Sequence, residues 1–385
     1  MDEITLVKRL GADVPEPDAA ALRRIRHEVL AGLPERPAAR RRRWSIALLR
    51  GRHPAIRFAV AAGLAGAIAL ATVAVDTLVT RDGRPVIGHE AAATELNRAA
   101  EAAISASDPP LAPGQFYYLR RVEVASTGIA SRAPCDRLFY LHKNVSETWV
   151  PKDWDAQWMT RQTADAERRF LRPGDEAKAE ACPDALAEPK TEVRKAPAGL
   201  FYPRGVSRPG DEPRDSSGTV VYDWSPEQIA ERLAGGFWQE PTPPFMAGLP
   251  RDPRKLLERI YRDSAGAGRG RDDEAFVFVR DILRSGVVPA DLRAALFSAA
   301  ALIPGVRLVG DSVNLEGRHG VAVAMSDHGQ ERVELIFDPA SGEVIGERRV
   351  ILRNDYIPGV KAGTTVGYTA VSRQIVAAMG AMPGR

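Results

Sequence analysis

The stretch that decides how this chain is organised is FAVAAGLAGAIALATVAV, residues 58–75, which holds 18 residues without a charge. At about 1.5 Å rise per residue, a helix of this length measures roughly 27 Å, close to the hydrocarbon thickness of a bilayer. A buried helix of a globular protein usually keeps a polar face, and residues 58–71 show none. We therefore expect one transmembrane helix over residues 54–79.

The residues before this run indicate its orientation. Residues 1–57 contain 13 Lys and Arg against seven acids, including the run Arg40–Arg43. By the positive-inside rule, the N-terminus is expected in the cytoplasm and the C-terminal part outside the cell. A cleaved signal peptide is the competing interpretation, but 57 residues exceed its usual n-region and no clean Ala-x-Ala site follows Val75. An uncleaved signal anchor in the cell membrane fits best.

The cytoplasmic segment, residues 1–53, is basic and contains two predicted short helices, at 2–10 and 18–33. The second helix carries an apolar stripe formed by Ala21, Leu22, Ile25, Val29 and Leu30. A helix pair of this size cannot build its own core, so it docks on a protein partner or lies on the membrane. Its arginines favour the anionic lipid bilayer as a partner and not nucleic acid, because only Trp44 lies among them as an aromatic.

Beyond the membrane, residues 80–112 are predicted to form a juxtamembrane helix and linker, and residues 113–385 an exported domain. Strand patterns come first, then helical patterns over about 225–303, then strands again, an order that predicts an α+β fold with a curved antiparallel sheet and a packed helical subdomain. The predicted strands are 116–119, 122–124, 138–141, 147–150, 306–309, 321–325, 332–337 and 344–352. The predicted helices are 90–107, 226–234, 253–264, 273–284 and 290–302.

Several local signals support this order of elements. Ser225 and Asp252 each precede a proline, which is typical of a helix N-terminus. The sequence Asp338-Pro339-Ala340-Ser341-Gly342 predicts a hairpin turn between the last two strands. The stretches 171–199 and 203–218 are rich in Pro, Gly and charge, and we expect them to be mobile insertions.

The two cysteines, Cys135 and Cys182, both lie in the part expected outside the cell. An even number of cysteines in an oxidising compartment predicts one disulfide between them, although two unpaired thiols remain an alternative. Such a cross-link would contribute on the order of 3 to 4 kcal/mol in the chain-entropy model.

Motifs that would indicate catalysis or a cofactor are missing from the sequence. There is no HExxH, CxxC, P-loop or GxSxG pattern, so we expect no enzyme and no cofactor. His319 and His328 flank a predicted strand, but their spacing is not that of metal ligands. The adjacent acids Asp272 and Asp273 are a carboxylate pair, yet acids at a helix start usually interact with the helix dipole.

Five tryptophans are the candidate ligand-binding residues. They are Trp149, Trp154, Trp158, Trp224 and Trp238. Large aromatic side chains on one concave face would suit a lipid or peptide, although such residues more often form the core.

The chain resembles an uncharacterised actinobacterial family of single-pass membrane proteins often encoded beside an extracytoplasmic-function sigma factor. The resemblance covers nearly the whole chain and rests on short motifs: Leu10–Pro15, Leu96–Ala100, Pro113–Tyr118, Glu147–Val150, Leu249–Pro253, Leu292–Leu296, Ile303–Val306, Gly317–Gly320 and Phe337–Gly342. It implies single-pass topology and a link to sigma-factor control, but no activity and no catalytic residues.

The order of elements in the exported part is also similar to lipoprotein-carrier and sigma-regulator sensor domains. These domains form a half-barrel of antiparallel strands over helices. Two functions are consistent with the sequence. One is a membrane-anchored regulator whose cytoplasmic helices engage a sigma factor while the exported domain senses an envelope signal or protein. The other is a membrane-tethered lipid or lipoprotein carrier.

Overall fold

Long antiparallel strands dominate the computed structural model of this protein. It describes residues 78–79, 85–86, 88–129, 138–182, 186, 189–201, 212–268 and 270–384, all of which belong to one compact unit, Ala71–Arg385. The predicted cytoplasmic helices, the uncharged run 58–75 and Cys135 lie outside the described residues. No helix in these ranges is long and apolar enough to cross a membrane.

The described strands, in chain order, are β1 (Leu78–Val79), β2 (Pro85–Val86), β3 (Phe116–Ile129), β4 (Leu138–Pro151), β5 (Gln157–Phe170), β6 (Lys190–Pro197), β7 (Val220–Val221), β8 (Arg307–Val313), β9 (His319–Asp327), β10 (Glu331–Phe337), β11 (Val344–Ile351) and β12 (Thr365–Val376). Strands β3 to β12 form one curved sheet in the order β7-β6-β5-β4-β3-β12-β11-β10-β9-β8. Neighbouring strands are antiparallel except for β6 and β7. Strand β12 therefore joins two groups of strands, β3 to β7 and β8 to β11.

The described helices are α1 (His89–Ala106), α2 (Asp175–Glu180), α3 (Pro226–Ala234), α4 (Pro243–Ala247), α5 (Pro253–Asp263), α6 (Arg271–Arg284) and α7 (Ala290–Ala300). Ser225 begins α3 with the predicted capping box, in which Gln228 is the reciprocal partner. The Asp252 side chain accepts a hydrogen bond from the Lys255 N–H and so caps α5. The sequence predicted both helix starts correctly.

The main core lies between helices α1, α5, α6 and α7 and strands β8 to β11. Alternate residues of the strands face the helices, as the period of two requires, and Val323, Leu335 and Phe337 are fully buried there. The Phe337 ring packs on Phe297 of α7 with ring centroids 5.3 Å apart. We call this region, β8 to β11 with its helices, the closed half of the sheet.

The predicted hairpin at Asp338–Gly342 is confirmed, since β10 and β11 pair on either side of it. The turn packs on α1. Gly342 has a φ of +62°, and a Cβ atom at this position would clash with the Ala99 carbonyl oxygen. Only glycine therefore satisfies both the backbone conformation and the contact.

The α+β class is confirmed, but several details differ from the sequence prediction. The helix over 90–107, assigned to a juxtamembrane linker, packs in the main core through Leu96 and its neighbours. Strand β12 was not predicted at all. The stretch 171–199 was expected to be a mobile insertion but contains α2 and β6, because β6 completes the hydrogen bonds of β5. Leu78–Val79, at the end of the predicted membrane span, forms a strand paired with Pro85–Val86.

Candidate functional site

In the strands that the main core leaves uncovered, part of one face carries polar side chains. In the register of β3 to β6, Arg121 lies opposite Ser146, Ser146 opposite Gln162, and Gln162 opposite Glu192. A second row joins Glu123, Asn144, Ala164 and Lys190. Side chains in such rows share one face of a sheet. We call strands β3 to β7 the open half.

A cavity of about 470 Å³ lies between helix α6 and the sheet. Phe276, Val277, Arg280 and Arg284 of the helix line one side. The strands contribute Glu123, Glu331, Val333, Glu347, Arg349 and Thr369. We call it the helix cavity. Its lining of arginines and glutamates is suited to a polar ligand and not to an acyl chain, because buried charges need polar partners.

Ion pairs neutralise most of the charge in the helix cavity. Arg349 bonds Glu331 at 3.0 Å, and Arg284 lies 3.3 Å from Glu347 and 2.6 Å from Asp281. Burial disfavours the charge of Arg284, but Glu347 and Asp281 outweigh it and raise the pKa of Arg284.

Arg280 differs from these arginines. It has only long contacts, 3.6 Å to Glu347 and 3.9 Å to Asp281, and its buried Nε atom has no hydrogen-bond partner. A buried N–H without an acceptor is costly, so this group is available to a ligand.

A second cavity, of about 270 Å³, adjoins the helix cavity, and Arg284 lines both. Its apolar wall is formed by Leu119, Trp154, Trp158, Val287 and Val371. Its charged residues are Arg120, Arg121, Arg232, Arg284 and Glu240, and its small polar residues include Ser146, Thr148 and Thr242. We call it the tryptophan cavity. Its lining combines apolar surface with an excess of positive charge.

The wall of the tryptophan cavity has an unusual backbone. Ala198 has a φ of +53°, which is uncommon for a residue other than glycine. Its N–H donates to the Ala156 carbonyl at 3.0 Å, which fixes the loop. The next residue, Gly199, lies so close to the Trp158 ring that a Cβ atom there would be 3.0 Å from it. Trp158 in turn packs edge-on against Trp154, with ring centroids 4.9 Å apart.

The five candidate tryptophans do not share one surface. Trp154 and Trp158 line the tryptophan cavity, and Trp224 packs in the same small cluster. Trp149 is fully buried in another cluster with Tyr118 and Met159. It pairs with Met159, the neighbour of Trp158, so it lies on the opposite face of the sheet.

Trp238 belongs to the main core, where its Nε1 donates to Asp263 at 3.0 Å. Two of the five tryptophans therefore line a cavity directly, while Trp149 and Trp238 are core residues.

The other residues considered from the sequence lie apart from both cavities or serve local contacts. His319 lies 3.5 Å from Asp311. His328 lies 3.5 Å from Asp273, which lines the helix cavity.

Asp272 accepts a hydrogen bond from Tyr261 at 2.7 Å, and burial and this bond raise the pKa of Tyr261 to about 12. Within the described ranges, no group of three or more His, Cys, Asp or Glu is arranged to hold a metal ion.

Cys182 is buried and disulfide-bonded. The other cysteine of the chain, Cys135, lies outside the described residues. The pairing of the two stays a prediction.

A partly buried carboxylate connects the closed half to the centre of the sheet. Asp108 follows α1 and accepts hydrogen bonds from the Ala290 N–H, from Arg293 of α7 and from Arg373 of β12, at 2.6, 3.2 and 2.5 Å. Burial acts to raise the pKa of Asp108, but Arg373, Arg293 and the backbone bond outweigh it and lower the pKa. The contact links β12 to α7.

Sequence reasoning missed the arginines of the cavities. Arg121, Arg280 and Arg284 carry no motif, and a charged residue every few positions on a helix usually indicates a solvated face. The alternation of residues in β3 could have indicated them. Arg121 and Glu123 lie on the same face of the strand, and that face would carry apolar residues if other elements covered it. The partner elements that turn this face into a cavity are distant in sequence.

Comparisons with known proteins identify no family. No protein-family profile matches the chain, and no curated protein matches it. One solved structure, the complex of Pseudomonas aeruginosa MucA/MucB, aligns with 76% of this chain at 14% sequence identity and a TM-score of 0.24. The chain spans 59% of that structure's chain. A similarity at this level supports no argument about function.

Proposed function

We propose that this chain is a membrane-anchored, non-enzymatic regulator whose exported domain binds an envelope signal on the open half of its sheet. The observation that carries the proposal is the contrast between the two halves. Helices bury Val323, Leu335 and Phe337 in the closed half, whereas Arg121, Ser146 and Gln162 on the equivalent face of β3 to β5 lie outside the main core, and Arg121 and Ser146 line the tryptophan cavity. Cavities with a few convergent polar groups are the usual form of a binding site.

Membrane anchoring in this proposal is supported by the sequence. The uncharged run 58–75 is long enough to span a bilayer, and the arginines before it favour a cytoplasmic N-terminus. The amphipathic segment 18–33 is too short to fold alone and therefore suits docking to a cytoplasmic partner. A sigma factor is the proposed partner, by the family resemblance of the sequence.

A carrier of lipids or lipoproteins is the second candidate function. It is favoured by Trp154 and Trp158, which give the tryptophan cavity an apolar wall. The charged lining of the larger helix cavity argues against a lipid carrier. An acyl chain there would remove solvent from the ion pairs and offer them no hydrogen bond. Native mass spectrometry of the full chain, released from detergent, would decide it. A retained lipid supports the carrier, and a ligand-free protein contradicts it.

Crosslinked copurification tests the regulator proposal. Full-length protein and a variant lacking residues 1–50 are purified from membranes after mild crosslinking, and transcription is measured in both strains. We expect a sigma factor to copurify only with the intact N-terminus and transcription of its target genes to change in the deletion strain. Identical copurifying proteins and identical transcription would contradict the proposal.

A further inference from the structure

Among the arginines that line the tryptophan cavity, Arg121 has the longest ionic contact. Arg120 bonds Glu316 with two hydrogen bonds at 2.7 and 2.8 Å, and Arg232 lies 2.9 Å from Glu240. Arg284 is paired with Glu347 and Asp281. Arg121 has one ionic contact, 3.4 Å to Glu123, and its side chain is 42% exposed.

Short ion pairs hold Arg120, Arg232 and Arg284. The contact of Arg121 to Glu123 is longer, so the guanidinium of Arg121 keeps the most hydrogen-bonding capacity for a ligand. Arginine binds carboxylates through two parallel hydrogen bonds, which makes an acidic ligand the best match. Among the described residues that line this cavity, Glu240 is the one acid, and Arg232 already holds it. Glu123, the ionic partner of Arg121 at 3.4 Å, lines the helix cavity, so a ligand carboxylate at Arg121 would share the guanidinium with it.

The size and surroundings of the cavity favour a peptide over a lipid. Its volume of about 270 Å³ lies just below the range of roughly 300–1,000 Å³ for cavities that hold drug-sized ligands. It suits one or two side chains, not a pair of acyl chains. The polar rows that lead away from it, through Ser146 and Gln162, offer hydrogen-bonding groups for a peptide backbone.

The apolar wall sets the second requirement on the ligand. Trp154 is half-buried at the cavity and Trp158 closes its floor, held in place by the fixed loop at Ala198. A strained backbone next to a cavity is a common feature of binding sites. An apolar or aromatic side chain would bury its surface against Trp154.

We propose that the tryptophan cavity binds an acidic peptide segment of a partner protein, with a carboxylate at Arg121 and a neighbouring apolar side chain at Trp154. The inference rests on the proposed function for the location of that partner, outside the membrane. It names the chemical class of the signal.

Fluorescence anisotropy on the full-length protein in detergent tests this proposal. The probe is a fluorescein-labelled hexapeptide in which aspartate alternates with leucine and phenylalanine, and the matched peptide carries asparagine at each aspartate. We expect the acidic peptide to bind about tenfold more tightly than the asparagine peptide, and the difference to shrink at high salt. Equal affinity for the two peptides would overturn the proposal.

Arginine variants localise the binding. Arg121→Gln is expected to weaken the acidic peptide about tenfold, to the level of the asparagine peptide, whereas Arg121→Lys keeps the charge but not the two parallel hydrogen bonds and should give an intermediate affinity. Arg98→Gln is the matched control, because Arg98 is an exposed arginine with one contact of similar length, 3.3 Å to Glu95. An effect of Arg98→Gln equal to that of Arg121→Gln, with unchanged melting temperatures, would contradict the assignment.

Short-chain lipids separate a peptide site from a lipid headgroup site. Displacement of the acidic peptide by dihexanoyl phosphatidylglycerol, but not by dihexanoyl phosphatidylcholine, at concentrations below micelle formation would overturn the peptide assignment. We expect neither lipid to compete.

The outcomes also separate this inference from the proposed function. Arg121-dependent peptide binding in a protein whose partners do not depend on residues 1–50 would overturn the regulator function alone. A partner that depends on residues 1–50, without selective binding of the acidic peptide, would overturn this inference alone.

Discussion

The closed and open halves of the sheet share antiparallel strand geometry and differ in what covers them. In β9 and β10 of the closed half, Val323, Leu335 and Phe337 face the helices and are fully buried. In β3 to β5 of the open half, Arg121, Ser146 and Gln162 take the corresponding face, and Arg121 and Ser146 line the tryptophan cavity. The main core thus covers this face of the closed half, whereas polar side chains occupy part of the same face in the open half, where we propose that the partner binds.

The largest expected effect concerns a core residue of the closed half. Phe337→Ala removes a fully buried ring that packs on Phe297, and we expect a loss of about 3–5 kcal/mol in the free energy of unfolding. Gln162→Ala, on the exposed face of the open half, should change it by less than about 0.5 kcal/mol. Urea unfolding measures both. A comparable loss in the two variants would remove the distinction between the halves.

The next effect concerns the contact that connects the two halves. Asp108→Asn leaves Arg293 and Arg373, both largely buried, without their shared carboxylate. Breaking a buried ion pair typically costs about 3–5 kcal/mol, and we expect the lower end here because Glu343 still contacts Arg373 at 3.1 Å. Thermal unfolding followed by circular dichroism checks this loss. A variant as stable as the native protein would show that Asp108 does not hold β12 in place.

A smaller effect distinguishes two arginines of the helix cavity. Arg284→Met deprives Glu347 and Asp281 of their nearest cation, and a loss of roughly 2 kcal/mol is expected. Arg280→Met replaces a side chain whose Nε has no partner, so its stability should stay within about 1 kcal/mol of the native value. Urea unfolding measures both variants. A larger loss of stability in Arg280→Met than in Arg284→Met would contradict the assigned roles of the two arginines.

The pH dependence of stability gives a further test of the Asp108 contact. The folded-state pKa of Asp108 lies below its ordinary value of 3.8, so the ionised carboxylate stabilises the folded state above that pH. This stabilisation is lost as the pH falls below 3.8 and through the lowered folded-state pKa. The stability difference between the native protein and Asp108→Asn should therefore be largest near neutral pH and shrink in acid. A difference that stays constant from pH 7 to pH 2.5 would contradict the role of its charge.

The sequence predicted the local elements of this fold better than their arrangement. The Ser225 cap and the Asp338–Gly342 turn depend on neighbouring residues, and the structure confirms both. Strand β12 depends on pairing with β3 and β11, which are distant in sequence, and its polar residues Ser372 to Gln374 hide the alternation.

The candidate site was predicted only in part, for a related reason. Trp149 and Trp158 lie on opposite faces because the register pairs Trp149 with Met159. A shift of one residue would reverse this placement, and sequence does not determine the register. The cavity arginines could not be predicted because the helix cavity forms only where α6 packs over strands that are distant in sequence.

Site-specific photocrosslinking in living cells tests the central claim most directly. Benzoylphenylalanine is placed at Gln162, on the polar rows of the open half, or at Glu101, on the exposed side of α1. We predict a protein adduct at Gln162 that is absent at Glu101 and is lost when Arg121→Gln is added. Adducts of equal yield at both positions, or a Gln162 adduct that persists with Arg121→Gln, would contradict the assignment of binding to the open half.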